Sequence, residues 1–179
     1  MVNTHGKRGC PAEHKVKEEI SRPATVQDLK KLIQSLNDNN VEYMLIGGYA
    51  LYAHGMMRMT TDIDLLVPKH EEAGKKLLEA LLVLPDKAAK GVDLAWFKEG
   101  DTIRLADEIV VDIMFNAGGE SFESLKDYAE VIDFEGVPIK TVNIEGLLKT
   151  KQTLRDKDRA DKMVLSQALA MIRKQIKPQ

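Results

Sequence analysis

The sequence predicts an α/β domain, and two observations carry that reading. Short apolar runs bounded by turn formers alternate with segments whose apolar residues recur at helical spacing. At 179 residues the chain is also long enough for one domain with a real hydrophobic core and a small helical appendage.

Residues 1–24 show no periodicity and hold Gly6, Gly9, Pro11 and Pro23, so they read as an N-terminal arm, with room for a short helix over 13–20. Thr25 has the place of an N-cap, with Asp28 three residues on. Val26, Leu29, Ile33 and Leu36 follow at helical spacing, and Asn39-Asn40 ends that helix. Residues 41–46 read as a buried strand broken by Gly47-Gly48, and 49–54 as a short helix ended by Gly55. A second strand, 62–67, stops at Pro68. Ala73, Leu77, Leu78, Leu81 and Leu82 mark the next helix. Strands are expected over 93–97, 102–105 and 108–115, then a short helix over 121–126. Residues 131–134 and 137–142 flank Glu135-Gly136 as a hairpin, and Pro138 puts the second arm at a sheet edge. Residues 144–153 and 157–174 close the chain as two helices. In the last of these, Ala160, Met163, Val164, Leu169, Met171 and Ile172 form a broad apolar face. The organisation is thus an arm (1–24), a core (25–142) and a helical segment packed on the core (143–179).

Composition narrows the function classes. The apolar and charged fractions, 44% and 30%, are those of an ordinary globular protein. No apolar run approaches the roughly 18 residues of a membrane span, and residues 1–23 lack a signal-peptide core. Cys10 is the only cysteine, so no intramolecular disulfide can form; a reducing cytoplasm is the expected location. The net charge of −2 hides an asymmetry. Residues 26–115 carry fifteen acidic and ten basic side chains; residues 140–179 carry four and ten. An acidic core beside a basic tail suits a cation site next to a phosphate-bearing ligand, although basic helix faces often serve only solubility.

The chemistry-bearing residues begin with Asp62 and Asp64. In a strand, positions i and i+2 face the same way, so the two carboxylates point out together while Ile63 and Leu65 face the core. Adjacent carboxylates repel unless a cation lies between them, and Mg²⁺ takes such oxygen ligands together with substrate phosphates. Alone, Asp-x-Asp is equally an exposed strand face. Upstream, Gly47-Gly48 joins a strand to a helix, where free backbone N–H groups and the absence of side chains admit a phosphate. Downstream, Asp112 interrupts the apolar strand 109–115; a charge there needs a cation or a Lys or Arg partner.

The stretch Ile46-Gly47-Gly48-Tyr49-Ala50, His54-Gly55 and Arg58-Met59-Thr60-Thr61-Asp62-Ile63-Asp64-Leu65-Leu66-Val67 resembles the signature of the DNA polymerase β-type nucleotidyltransferase superfamily. Its Arg-x-Thr-x-Asp-x-Asp form is similar to a branch of small bacterial and archaeal transferases that includes abortive-infection toxin relatives and drug-modifying enzymes. Asp112 matches the third carboxylate. Leu147-Leu148-Lys149-Thr150-Lys151 with Arg155-Asp156-Lys157-Asp158-Arg159-Ala160-Asp161 resembles the closing motif of that branch. The likeness spans most of 41–165 and none of 1–24.

The resemblance implies a mixed sheet flanked by helices, with a C-terminal helical segment closing a cleft. It implies Mg²⁺ (or Mn²⁺) held by Asp62, Asp64 and Asp112, and an NTP donor bound by Gly47, Gly48, Arg58, Thr60 and Lys151. The expected reaction is transfer of a nucleoside monophosphate to a hydroxyl or phosphate on an RNA end, a protein or a small molecule. The competing expectation is a catalytically silent binding or regulatory partner, as in a toxin–antitoxin pair. A nucleic-acid module built on the basic C-terminal helices ranks third, since no aromatic residues interleave the basic ones.

Other residues are expected to be structural. His54 caps an apolar helix. Cys10 and His14 are too few for zinc. Asp158 and Asp161 share one helix side, in a solvated or capping role at least as readily as in a site. Trp96 and Phe97 suit core packing better than a wall of the site. Met56, Met57 and Met59 are expected to pack beside it.

Overall fold

The computed structural model describes residues 14–16 and 20–176. Helix α1 (Val26–Asp38) starts where expected. The Asp28 amide donates to Thr25 Oγ1 and the Thr25 amide donates to the Asp28 carboxylate, which closes a capping box. Arg22 donates to both oxygens of the same Asp28, at 2.6 and 2.9 Å. These bonds hold the Asp28 carboxyl well below the usual carboxylate range and pin residues 20–24 to the body of the fold.

Among the described residues seven strands form one mixed sheet: β1 (His14–Val16), β2 (Met44–Ile46), β3 (Ile63–Leu66), β4 (Ile103–Ala106), β5 (Val110–Met114), β6 (Ala129–Phe134) and β7 (Val137–Val142). Their order is β1-β4-β5-β3-β2-β7-β6, with three-residue β1 added at one edge. Neighbours alternate in sense: β4/β5, β3/β2 and β7/β6 are antiparallel, while β1/β4, β5/β3 and β2/β7 are parallel. The helices are α1, α2 (Gly47–Ala53), α3 (Glu71–Leu81), α4 (Trp96–Glu99), α5 (Ile144–Thr150) and α6 (Asp156–Ile176). Helix α2 packs on β2, β3 and α5; α1 packs on α3 and β7. Central strands β2 and β3 bury every residue but one: Met44, Leu45, Ile46, Ile63, Leu65 and Leu66 are in the core, and Asp64 is the half-buried exception.

Five local expectations are corrected. Residues 93–97 are not a strand: Asp93 Oδ1 accepts from the Ala95 amide at 2.9 Å, and the turn so formed leads into α4. Phe97 is then fully buried, edge-on to Phe115 at 5.3 Å and over Gly74, where a Cβ would come within 2.9 Å of its ring. Residues 121–126 form turns rather than a helix, followed by a 3₁₀ turn at Lys126–Tyr128. Residues 14–16 of the arm are a strand, not part of a helix; Cys10 and the rest of 1–13 lie outside the described residues. Strand β7, with Pro138, is internal rather than an edge. Proline is tolerated because β2 pairs with β7 only at Leu45↔Thr141, beyond which the Asn37 amide reaches the Pro138 carbonyl at 2.8 Å.

The fifth correction concerns α6. Its inward stripe is Asp158, Asp161 and Leu165, all buried, with Ala168 and Leu169 partly covered. The face expected to pack is largely exposed: Met163 and Met171 are each 66% accessible, Val164 47% and Ile172 40%. Apolar count was a poor guide here because charged side chains occupy the packed positions. No helix among the described residues is long and apolar enough to cross a membrane.

Candidate functional site

One cross-strand row organises the open face of the sheet. Ile46 on β2 faces Asp64 on β3, Asp64 faces Asp112 on β5, and Asp112 faces Arg104 on β4. Directly opposed residues share a sheet face, so this register alone sets two carboxylates and a guanidinium side by side. Asp62, two residues before Asp64, joins them.

Arg104 was missed by the sequence reading. Its Nη1 donates to both oxygens of Asp112, at 2.8 and 3.0 Å, and its Nη2 donates to Asp62 Oδ2 at 2.9 Å. The alternation Ile103-Arg104-Leu105, buried on either side of the arginine, was the available signal; its pairing with Asp112 depends on a register that no local pattern specifies. The arginine partner considered for Asp112 as the ordinary alternative is therefore present, and it coexists with the carboxylate cluster.

Gly47 and Gly48 have separate structural reasons. Gly47 has φ +70°, and a Cβ there would fall 2.0 Å from Asp64 Oδ2. At Gly48 a Cβ would fall 2.5 Å from the Cβ of Thr60. The first glycine lets the backbone close over Asp64; the second lets the Thr60 loop lie against α2. Thr60 Oγ1 in turn donates to the Asp62 carbonyl at 3.2 Å, so Thr60 positions the acidic segment. Helix α2 is only seven residues long, so what it offers an anion is its first backbone N–H groups more than a long-helix dipole.

Asp64 carries the electrostatic strain of the row. Burial, and then the neighbouring charge of Asp112, push its carboxyl up to about 7, against the opposing pull of Lys151 and Lys157.

The C-terminal motif borders the cleft and is knit together by ion pairs. Lys151 is buried, and its Nζ lies 3.0 Å from Asp161 Oδ2 and 3.4 Å from Asp158 Oδ1. Asp158 is wholly buried and Asp161 is 4% accessible, so the solvated reading of both is wrong. Arg155 Nε reaches Asp158 at 2.8 Å, and Thr153 donates to the same oxygen. Burial raises the Asp158 carboxyl, yet the bonds from Thr153 and Arg155 and the charge of Lys151 outweigh it and hold the group below its usual range. Arg58 donates to Asp161 at 2.8 Å, away from the Asp62 segment that it precedes. Two of the cations expected at a nucleotide thus also bolt α6 to the body of the fold.

The residues around the row enclose a cleft of about 720 Å³. All eight residues singled out from the sequence line it, joined by Arg104, Arg155 and Lys157 and by the 116–118 turn. Gly118 permits that turn to close on α5: with φ +62°, a Cβ there would meet the Thr150 carbonyl at 2.5 Å. His54 is elsewhere, its Nε2 2.9 Å from the Val142 carbonyl, in a structural role. Met57 and Met59 do not pack as expected; they are 97% and 92% accessible, and Met59 borders the cleft.

The donor chemistry here, carboxylates alone, suits a hard divalent cation. The arrangement is less direct: among the described residues no three His, Cys, Asp or Glu side chains gather closely enough to hold a metal ion. The guanidinium of Arg104, bonded to Asp62 and Asp112, takes the cationic place between them. No protein-family model matches this chain, and no curated protein matches it.

Proposed function

We propose that the chain is a nucleotidyltransferase that moves a nucleoside monophosphate from an NTP to a hydroxyl or phosphate acceptor. The observation that carries this reading is the meeting of Gly47 with Asp64, in register with Asp112, inside a cleft that also holds Asp62 and several cations. It places a carboxylate row under a backbone turn that has no side chain to obstruct a phosphate.

In this reading Asp62, Asp64 and Asp112 would hold Mg²⁺ or Mn²⁺, which would supply charge neutralisation for the triphosphate and activation of the attacking oxygen. The Gly47 and Gly48 N–H groups face the phosphates, and Lys157 supplies positive charge from α6. Thr60 keeps the Asp62 segment in place, while Lys151 and Arg58 hold α6 against the cleft. The acceptor oxygen bonds to the α-phosphorus, the bond from that phosphorus to the bridging oxygen breaks, and pyrophosphate leaves. Asp112 receives the acceptor proton. Such a reaction needs positioning and charge stabilisation more than covalent help from the protein. The acceptor is an RNA end, a protein or a small molecule, and the cytoplasm is the proposed setting.

The experiment is incubation with labelled NTPs, Mg²⁺ and a cell extract. Label should pass to an acceptor with the wild-type chain and not with Asp64→Asn. If calorimetry finds no metal-dependent NTP binding, the reading fails.

A second reading has a specific observation behind it. Arg104 already pairs Asp62 and Asp112, so these carboxylates are compensated without any metal. That favours a silent binding or regulatory partner, as in a toxin–antitoxin pair. Such a partner would show no NTP- or Mg²⁺-dependent rise in thermal stability, whereas a binder of the folded state gains stability by mass action.

A further inference from the structure

We propose that Arg104 is an exchangeable counter-cation: its guanidinium holds Asp62 and Asp112 together, and a divalent ion entering the cleft displaces it. This rests on the transferase reading only in taking the carboxylate row as a metal site.

Three features support the exchange. First, the geometry is specific. Arg104 and Asp112 are directly opposed on antiparallel strands, and the planar fork spans both oxygens of Asp112 with one nitrogen and Asp62 with the other. A guanidinium can bridge two carboxylates in this way; a lysine ammonium, a single point charge on a flexible stem, cannot reproduce the fork. Second, the acidic row has three carboxylates: Arg104 bridges Asp62 and Asp112, and Asp64 stands in register with Asp112 in the same cleft. A divalent ion compensates more of their charge than Arg104 does. Third, the arginine has somewhere to go. Its side chain is 32% accessible, against 13% for Asp112, and it lines a cleft shared with Thr102 and Asn116. Departure therefore requires rotation of a long side chain and no movement of the sheet.

The consequence is that metal entry and the Arg104 contacts oppose one another. Because such coupling is reciprocal, weakening the contacts must tighten the metal. The folded chain then keeps Asp62 and Asp112 bridged while it waits for substrate, and loading frees a guanidinium at the Asp112 end of the cleft.

The test uses Mn²⁺ alone, without nucleotide, followed by electron paramagnetic resonance on the full chain. Arg104→Gln should bind Mn²⁺ roughly tenfold more tightly than wild type, within the usual range for coupled sites. Arg104→Lys separates contact from charge: it keeps the positive charge and loses the fork, so it too should bind more tightly. If Lys matches wild type and only Gln gains, the effect is background charge and the exchange is overturned. Equal binding in all three chains, or none in any, also overturns it. If Arg104→Gln does not fold, the Lys comparison still decides. A second readout is nuclear magnetic resonance of ¹⁵N-arginine-labelled protein under Mg²⁺ titration. The Arg104 side-chain signals should lose their slow, paired character on saturation; signals that stay unchanged when Mg²⁺ is bound refute the proposal. Exchange seen here together with no label transfer from NTP would sink the transferase reading and leave this one standing.

Discussion

Gly47 and Asp64 are locked together: a Cβ on the glycine would sit 2.0 Å from a carboxylate oxygen of the aspartate. The relationship makes the turn and the acidic strand one unit. Gly47→Ala should therefore incur two costs, the left-handed backbone at φ +70° and a displaced Asp64. Gly55→Ala is the internal control, because Gly55 has φ +82° with nothing within 4 Å of its Cβ position. The control should lose about 1 kcal/mol, the backbone cost alone. Gly47→Ala should lose clearly more, and with it any stabilisation by NTP and Mg²⁺. Urea unfolding of the two variants side by side checks this.

Asp64 gives a pH signature. Its folded carboxyl titrates near 7, above its ordinary value of 3.8. The stability tied to the protonated form is fully present below pH 4 and is lost as pH rises through 7. Asp64→Asn removes that loss. In metal-free buffer the variant should match wild type near pH 4 and be more stable at pH 8, by on the order of 2 kcal/mol. Denaturation midpoints across that range are the measurement. A wild-type chain that is equally stable at both ends would contradict the burial of charge at this position.

Lys151 is predicted to be a stability residue whatever it does for a ligand. The Asp158 and Asp161 oxygens nearest to it have no hydrogen-bond partner, so its charge is what compensates them. Lys151→Met should cost about 3 kcal/mol, since breaking a buried ion network leaves unpaired charge. Adding Asp161→Asn to Lys151→Met should recover part of the loss. A double-mutant cycle by chemical denaturation measures the recovery, and simple additivity would mean the two groups do not interact.

Asp107 lies away from the cleft yet is buried, and its carboxylate accepts the amides of Asp86, Ala88 and Glu108 at 2.8–2.9 Å. Asp107→Ala strands those donors. It should lower stability by about 2 kcal/mol, in line with unsatisfied buried groups. NTP-dependent stabilisation should survive in the folded fraction, which a thermal shift assay with and without nucleotide can show.

Much of the fold was legible because it is set by local chemistry. Thr25 and Asp28 announce a helix start through bonds made within four residues. Glu135 and Gly136, at φ +50° and +84°, form the turn that their composition promised, between β6 and β7. The Gly-Gly turn and the Asp62-Asp64 pair were readable for the same reason: glycine declares a backbone need and alternation declares a face. Where local chemistry was ambiguous, reading failed. The 93–97 run is apolar enough for a strand, and only the Asp93 turn makes it helical.

Sequence by itself brought eight residues of the cleft to notice, and each of them lines it. Only the tertiary structure decided who partners whom. Asp112 meets Arg104 because of β4–β5 register, and Asp158 and Asp161 are buried because α6 turns its charged side to Lys151 and Arg58. Neither pairing leaves a trace in spacing, because an ion pair is formed by distances between distant segments and not by the order of residues within one. The contact of Gly47 with Asp64 stands between these cases: each residue was conspicuous alone, and the contact that makes one require the other exists only because β2, which leads into Gly47, runs beside β3.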